Sequence, residues 1–209
     1  MSKQKVIICH DLNENLRSAI ASCPHDKLFI LVDEHTRQLC LPLIADMECM
    51  QQAYVITIGA EDIHKNLETL AYVWKELGDH GATRHSLMIN LGGGMVTDLG
   101  GFAASTFKRG IPYINIPTTL LAMVDASVGG KTGINFNGLK NEIGVFSPAE
   151  YVLLDTEFLK TLDTRNLLSG YAEMLKHGII STEAHWAELL KFDIDRIDYE
   201  ELKRLVAQS

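Results

Sequence analysis

An α/β fold, with a parallel sheet covered by helices and an all-helical segment after it, is predicted by three features of the 209-residue sequence. Short apolar runs rich in β-branched residues recur through the first three quarters of the chain, most of them followed by helical periodicity. One run leads directly into three consecutive glycines, Gly92, Gly93 and Gly94. Strands that alternate with helices pair in parallel, because each crossover returns over a face of the sheet.

The first two runs cover residues 6–9 and 28–32, and the third covers residues 54–58. Ile63, Leu67, Leu70, Trp74 and Leu77 then recur at steps of four, three, four and three, which predicts a helix with all five on one buried face. Gly78 and Gly81 are expected to end it. The fourth run, residues 87–91, meets the glycines, and residues 95–107 read as the next helix before a fifth run at 113–116. From about residue 118 to 150, small and polar residues interrupt any periodicity, predicting a loop-rich stretch of the kind that carries function. A sixth run at 151–154 precedes helical patterns over 159–180 and 184–192. This change of pattern places a boundary near 156–163, between an α/β domain at 1–160 and the start of a helical domain at 161–209.

Hydrophobic residues make up 46% of the chain and charged residues 22%, a composition for a globular core rather than for disorder. Nineteen Lys and Arg against 27 Asp and Glu give a net charge of −8, which argues against a nucleic-acid partner. Cys9, Cys23, Cys40 and Cys49 lack C-x-x-C spacing and read as buried reduced thiols, so a reducing cytoplasm is expected. The opening MSKQKVIICHDL has too short an apolar run for a signal peptide, and no segment is apolar enough to span a membrane.

The strand–glycine–helix junction admits two readings. It lets a phosphate approach bare backbone amides at the positive end of a helix, or it is a tight structural turn. Thr118 and Thr119 follow Pro117 where a strand ends, and serve either a ligand or a helix N-cap. Asp125, Lys131, Lys140 and Asn141 are spread through the loop-rich stretch, and Arg109 closes the glycine-started helix. Each alone reads as a solvated polar group, whereas two lysines and an arginine clustered at one end of a sheet suggest an anionic substrate. In GYAEMLKHGII, read as a largely buried helix, Glu173 either pairs with Lys176 or His177 or joins His177 around a metal.

The segments GGGMVTDLGGFAASTFKRG, IPTTLLAMVDASVGGKTGIN, LKNEIGVFSP and SGYAEMLKHGII resemble, in order and spacing, the motifs of the 3-dehydroquinate synthase family over most of residues 30–180. The resemblance implies a Rossmann-like nucleotide-binding sheet that holds NAD, a divalent metal (zinc or cobalt), and a phosphorylated sugar acid as substrate, in a shikimate-pathway enzyme that is a homodimer at full length. Carried over residue by residue, it implies that NAD lies across Gly93, Gly94, Met95 and Asp98, with Thr118, Thr119, Lys131, Lys140, Phe158, Leu159, Lys160 and Thr161 around it. Asp33 falls near the adenosine end, and Asp62 with Lys65 matches an acid–x–x–Lys pair that commonly begins with Glu. Arg109, Asp125, Lys131, Asn141 and Lys176 match residues that hold the substrate, and Glu173 matches the first metal ligand.

The family's other two ligands are histidines in longer motifs further along, and this sequence ends at Ser209 before any such motif. It is therefore expected to be an amino-terminal domain with the opening of the next, inactive by itself. The rival readings are another sugar-phosphate cyclase, a metal-dependent polyol dehydrogenase, and a nucleotide-binding module without catalysis.

Overall fold

The computed structural model describes residues 4–209. Six strands, β1 (Lys5–Ile8), β2 (Leu28–Asp33), β3 (Tyr54–Ile58), β4 (Leu87–Gly92), β5 (Tyr113–Pro117) and β8 (Tyr151–Leu154), form one sheet in the order β1-β8-β5-β4-β2-β3. Every pairing in it is parallel. β4 and β5 are buried along their whole length, which is why they read as unbroken apolar runs rather than alternating ones. The chain steps outward from β2 to β3, then returns past β2 to β4 and continues the other way to β5 and β8. The order thus reverses between β2 and β4, and a crevice forms where their carboxyl ends diverge.

Helices α1 (Leu12–Ala21), α2 (Glu34–Leu39), α3 (Pro42–Ala45), α4 (Leu67–Asp79) and α5 (Gly94–Thr106) are the crossovers and their extensions. Asp11, Asp33 and Asn66 cap α1, α2 and α4 with side-chain acceptors. The expected face of α4 is corrected at its start. Ile63 lies in a 3-10 turn, Asp62–His64, and is 73% exposed, because Asn66 caps the helix and resets its phase. The buried face is Leu70, Val73 and Leu77, with Trp74 Nε1 donating to Ala103 O of α5.

The stretch expected to be loop-rich is more ordered. A π-helical turn, Ala122–Ala126, is followed by an antiparallel hairpin of β6 (Lys131–Phe136) and β7 (Leu139–Phe146). Asn137 and Gly138 join the strands with φ of 50° and 79°, the left-handed pair that an Asn-Gly dipeptide supplies to a two-residue hairpin turn. β6 packs along α5, whereas β7 is exposed throughout.

The helical pattern read from residue 159 begins as a 3-10 segment, Thr156–Thr161, and Asp163 then caps α6 (Thr164–Ile180). α7 (Glu183–Lys191) follows, and α8 (Tyr199–Gln208), unforeseen in the sequence, starts at its cap Asp198 and buries Leu202, Leu205 and Val206. Their buried side chains join the core that covers the sheet. α6 is not largely buried: Ile179 and Ile180 are 69% and 72% exposed, because its packed side, which meets the π-helical turn and α7, ends with Met174 and Gly178. All four cysteines are free, and no helix among the described residues is long and apolar enough to cross a membrane.

Candidate active site

A cleft of about 850 Å³ opens at the carboxyl ends of β2 and β4, at the point where the strand order reverses. Asp33, Asp62, Lys65, Gly93, Gly94 and Met95 line it, as do Asp98, Thr118, Thr119 and Thr161. Its floor is the start of α5. Gly93, the N-cap there, brings no side chain to occupy the first amides, unlike the capped ends of α1, α2, α4 and α6. An uncapped positive helix end in a concave site is a seat for an anionic group. The glycines also keep the floor open: a Cβ on Gly93 would stand 2.9 Å from Thr119 Cγ2, and one on Gly94 3.1 Å from Ala126 Cβ.

Each rim residue has a local duty as well. Asp33 caps α2, Oδ1 accepting from Thr36 N at 2.7 Å and from Thr36 Oγ1 at 3.1 Å. Both bonds fall on Oδ1, so Oδ2 remains for a ligand hydroxyl. Thr119 Oγ1 accepts from Ala122 N at 3.2 Å, which realises the cap reading for that residue. Cys40, also on the cleft wall, shares a 3.4 Å contact with Thr161 Oγ1, and burial pushes its thiol up from the ordinary range.

Below the rim, the Lys65 ammonium is ringed by Asp98 Oδ2 and Asn141 Oδ1, each at 2.5 Å. Burial raises Asp98 from the usual carboxylate range, against the pull of Lys65. Asp62 goes the other way. Its burial opposes ionisation, but bonds from Lys140 and Asn135, with the charges of Lys140 and Lys65, hold it below the usual range.

Asp98 and Ala126 also line a second cavity of about 490 Å³, between the π-helical turn and the hairpin. Asp125, Lys131 and Asn141 face it, with Lys131 Nζ 2.9 Å from Asp125 Oδ1. The turn that presents Asp125 is closed by Ser127, whose N and Oγ both donate to Ala122 O, at 3.0 and 2.7 Å. Two adjoining cavities with a shared wall, one floored by helix amides and the other lined by a cation, a carboxylate and an amide, suit a large cofactor beside a small anionic substrate.

Other sequence candidates lie elsewhere. Arg109 is not in the cluster expected of it: it closes the 3-10 turn Phe107–Arg109 that follows α5, at φ 70°, beyond the 13 residues of that helix and about 20 Å from its glycine end. The strand–helix alternation places the start of α5 at the carboxyl ends of the strands and Arg109 at their amino ends. Phe158 and Leu159 are core side chains, and Lys160 pairs with Glu157 at 2.7 Å, leaving Thr161 as the member of that group on the cleft. On α6, Lys176 donates to Glu173 Oε1, which also lies 3.3 Å from His177 Nε2. Glu173 thus has both predicted partners, and that bond holds Lys176 above its ordinary range. His177 Nδ1 is buried with no partner among the described residues, where no group of three His, Cys, Asp or Glu side chains converges on a metal position. Sequence reading missed Asn135, which bonds both Asp62 and Asn141; the Asn-Gly turn two residues later was the signal that would have placed it on a strand.

A protein from Parabacteroides distasonis named 3-dehydroquinate synthase is 55% identical over 209 residues, covering all of this chain and 59% of that protein. Among solved structures, ValA (2-epi-5-epi-valiolone synthase) from Streptomyces hygroscopicus subsp. jinggangensis, with NAD+ and Zn2+ bound, is 32% identical with a TM-score of 0.79 over 99% of this chain and 60% of that one. 2-Deoxy-scyllo-inosose synthase complexed with carbaglucose-6-phosphate, NAD+ and Co2+ shares the fold, with a TM-score of 0.83 at 22% identity over 96% of this chain and 56% of that one. The chain spans between half and six tenths of the length of the curated relatives it matches. The family model described as 3-dehydroquinate synthase N-terminal matches residues 55–169, more than half of the sequence, and the chain belongs to the 3-dehydroquinate synthase family.

Proposed function

We propose that this chain forms the nucleotide-binding part of a 3-dehydroquinate synthase, which converts 3-deoxy-D-arabino-heptulosonate 7-phosphate to 3-dehydroquinate and inorganic phosphate. The observation that carries the reading is the uncapped start of α5 at Gly93, set at the reversal of strand order and sharing a wall with the Asp125–Lys131 cavity. When bound, NAD supplies a reversible hydride acceptor and the divalent metal a Lewis acid beside the reacting oxygen.

The chain's own residues have separable duties in this proposal. The amides at Gly94 and Met95 seat the cofactor's pyrophosphate, Asp33 Oδ2 accepts from a ribose hydroxyl, and Lys65 neutralises Asp98 beneath the cleft. Thr118, Thr119 and Thr161 complete its walls, and Lys140 holds Asp62 at their edge. Lys131 attracts the substrate's anionic groups, while Asp125 and Asn141 orient its hydroxyls. Glu173 would hold zinc or cobalt, and Lys176 beside it would meet the substrate. The donor set fits only in part, since a single carboxylate with a neighbouring imidazole is short of the three protein ligands a catalytic site uses. We therefore propose that the 209-residue chain alone does not turn over.

The full-length enzyme is proposed to be a cytoplasmic homodimer. Leu139, Ile143 and Val145 of the exposed β7 offer an apolar face for a second copy, and Arg109 would reach a substrate cavity only in another subunit. Calorimetry with NAD tests the cofactor half, and binding to the 209-residue chain is the expected result. For the activity, a form as long as its relatives is incubated with the heptulosonate phosphate. Phosphate release without net NADH accumulation supports the proposal, accumulating NADH would indicate a dehydrogenase, and a different carbocyclic product would indicate another cyclase.

A further inference from the structure

We infer that Asn135 is a positioning residue that locks the cofactor-side and substrate-side halves of the site into one unit, an inference that rests on the proposed NAD and substrate cavities. In the hairpin, Ile134 pairs with Ile143 and Phe136 with Leu139, so Asn135 alone on β6 stands opposite Lys140, Asn141 and Glu142 on β7. This is a bulge, a device that re-aims side chains. Asn141 within it adopts φ 54°, a left-handed conformation that needs outside support in a residue other than glycine.

Asn135 supplies that support in three directions. Its Oδ1 accepts from Asn141 N at 2.9 Å, across the bulge. Its Nδ2 donates to Asp62 Oδ2 at 3.1 Å, where the Lys140 ammonium also binds at 3.0 Å. Its own N–H donates to Lys65 O at 2.8 Å. The bulge so held aims Asn141 Oδ1 at the Lys65 ammonium, which in turn meets Asp98 in the wall common to both cavities. Asn135 itself lines neither cavity. It acts through the residues it places, and ordering the Asp62–Lys65 turn for one ligand orders Asn141 for the other.

The test compares the chain with Asn135→Ala and Asn135→Asp, using NAD as the calorimetric probe and hydrogen exchange of the Asn141 amide as the local one, well below the thermal midpoint. Alanine is expected to speed Asn141 exchange and to weaken NAD about fivefold, the worth of a typical hydrogen bond. Aspartate keeps the acceptor for Asn141 but sets a second carboxylate against Asp62, so Asn141 stays protected while NAD weakens. That split separates positioning from general support of the fold, which would move both readouts together. NAD affinity within about twofold of the parent in the folded alanine variant, or unchanged Asn141 exchange there, overturns the inference. Should alanine prevent folding, the aspartate variant decides it by the same two readouts. If the parent binds no NAD, the cofactor reading has failed, and Asn141 exchange in the alanine variant alone supports or overturns the positioning role.

Discussion

The Lys65 ammonium stands 2.5 Å from Asp98 Oδ2, with the two side chains 6% and 18% exposed. The pair ties the turn after β3 to the second turn of α5, underneath the cleft. Removing one member leaves the other buried and uncompensated, so Lys65→Met is expected to lower stability by roughly 3 kcal/mol in urea denaturation. Combining it with Asp98→Leu should recover much of that loss without recovering NAD binding. Additive losses in the double variant would show that the two residues do not act as a pair.

Gly94→Val tests the helix end as the anion seat. A Cβ there stands 3.1 Å from Ala126 Cβ, so the backbone need yield only slightly, while the branches fill the gap where the two cavities meet. The expected outcome is a thermal midpoint near that of the parent and no NAD binding by calorimetry. Full affinity in this variant would place the cofactor's phosphates elsewhere.

The lowered Asp62 carboxyl sets a pH dependence with a definite sign. Its folded value lies below the usual 3.8, so the stabilisation it gives is fully present above the unfolded value and fades as pH falls through the folded one. The stability difference between the parent and Asp62→Asn should therefore be flat from neutral pH to about pH 5 and shrink only in stronger acid. Urea midpoints of both proteins across that range check it, and a difference that varies near neutrality would implicate another group.

Glu173→Gln should leave the zinc affinity of the 209-residue chain nearly unchanged, because one carboxylate holds zinc weakly. The same substitution in a full-length form should abolish phosphate release. Tight stoichiometric zinc in this chain, lost on His177→Ala, would instead establish Glu173 and His177 as a local metal site.

The parallel sheet was legible because strands buried on both faces must be apolar along their length; Leu87–Gly92 and Tyr151–Leu154 are found where their runs lie. The crevice was legible through Gly93, since a buried strand that runs straight into a glycine-started helix leaves bare amides at the carboxyl edge of the sheet. The hairpin was missed because β7 is exposed on both faces and leaves no alternation to detect, although Asn137-Gly138 marks its turn. Ile63 misled because a chance apolar residue extended a true periodicity past the Asn66 cap. Arg109 misled because closeness in sequence to the glycines says nothing about which end of a helix a residue occupies. Asn135 could not be singled out, since its role depends on contacts with residues on another segment and across the bulge.

The π-helical turn gives Asp125 an angular address. Ser127 closes a ring one residue wider than an α-helical one, so Ala122–Ala126 holds a residue that a regular helix would have no place for. Losing a single residue from this turn would let it relax to α-helical geometry and rotate the chain beyond it by about 100° around the axis. Asp125 and Lys131 would then face different directions, although both would still be present in the sequence. The length of this segment is therefore as much a part of the site as its side chains, and alignments that tolerate a one-residue gap here would conceal the loss of that cavity.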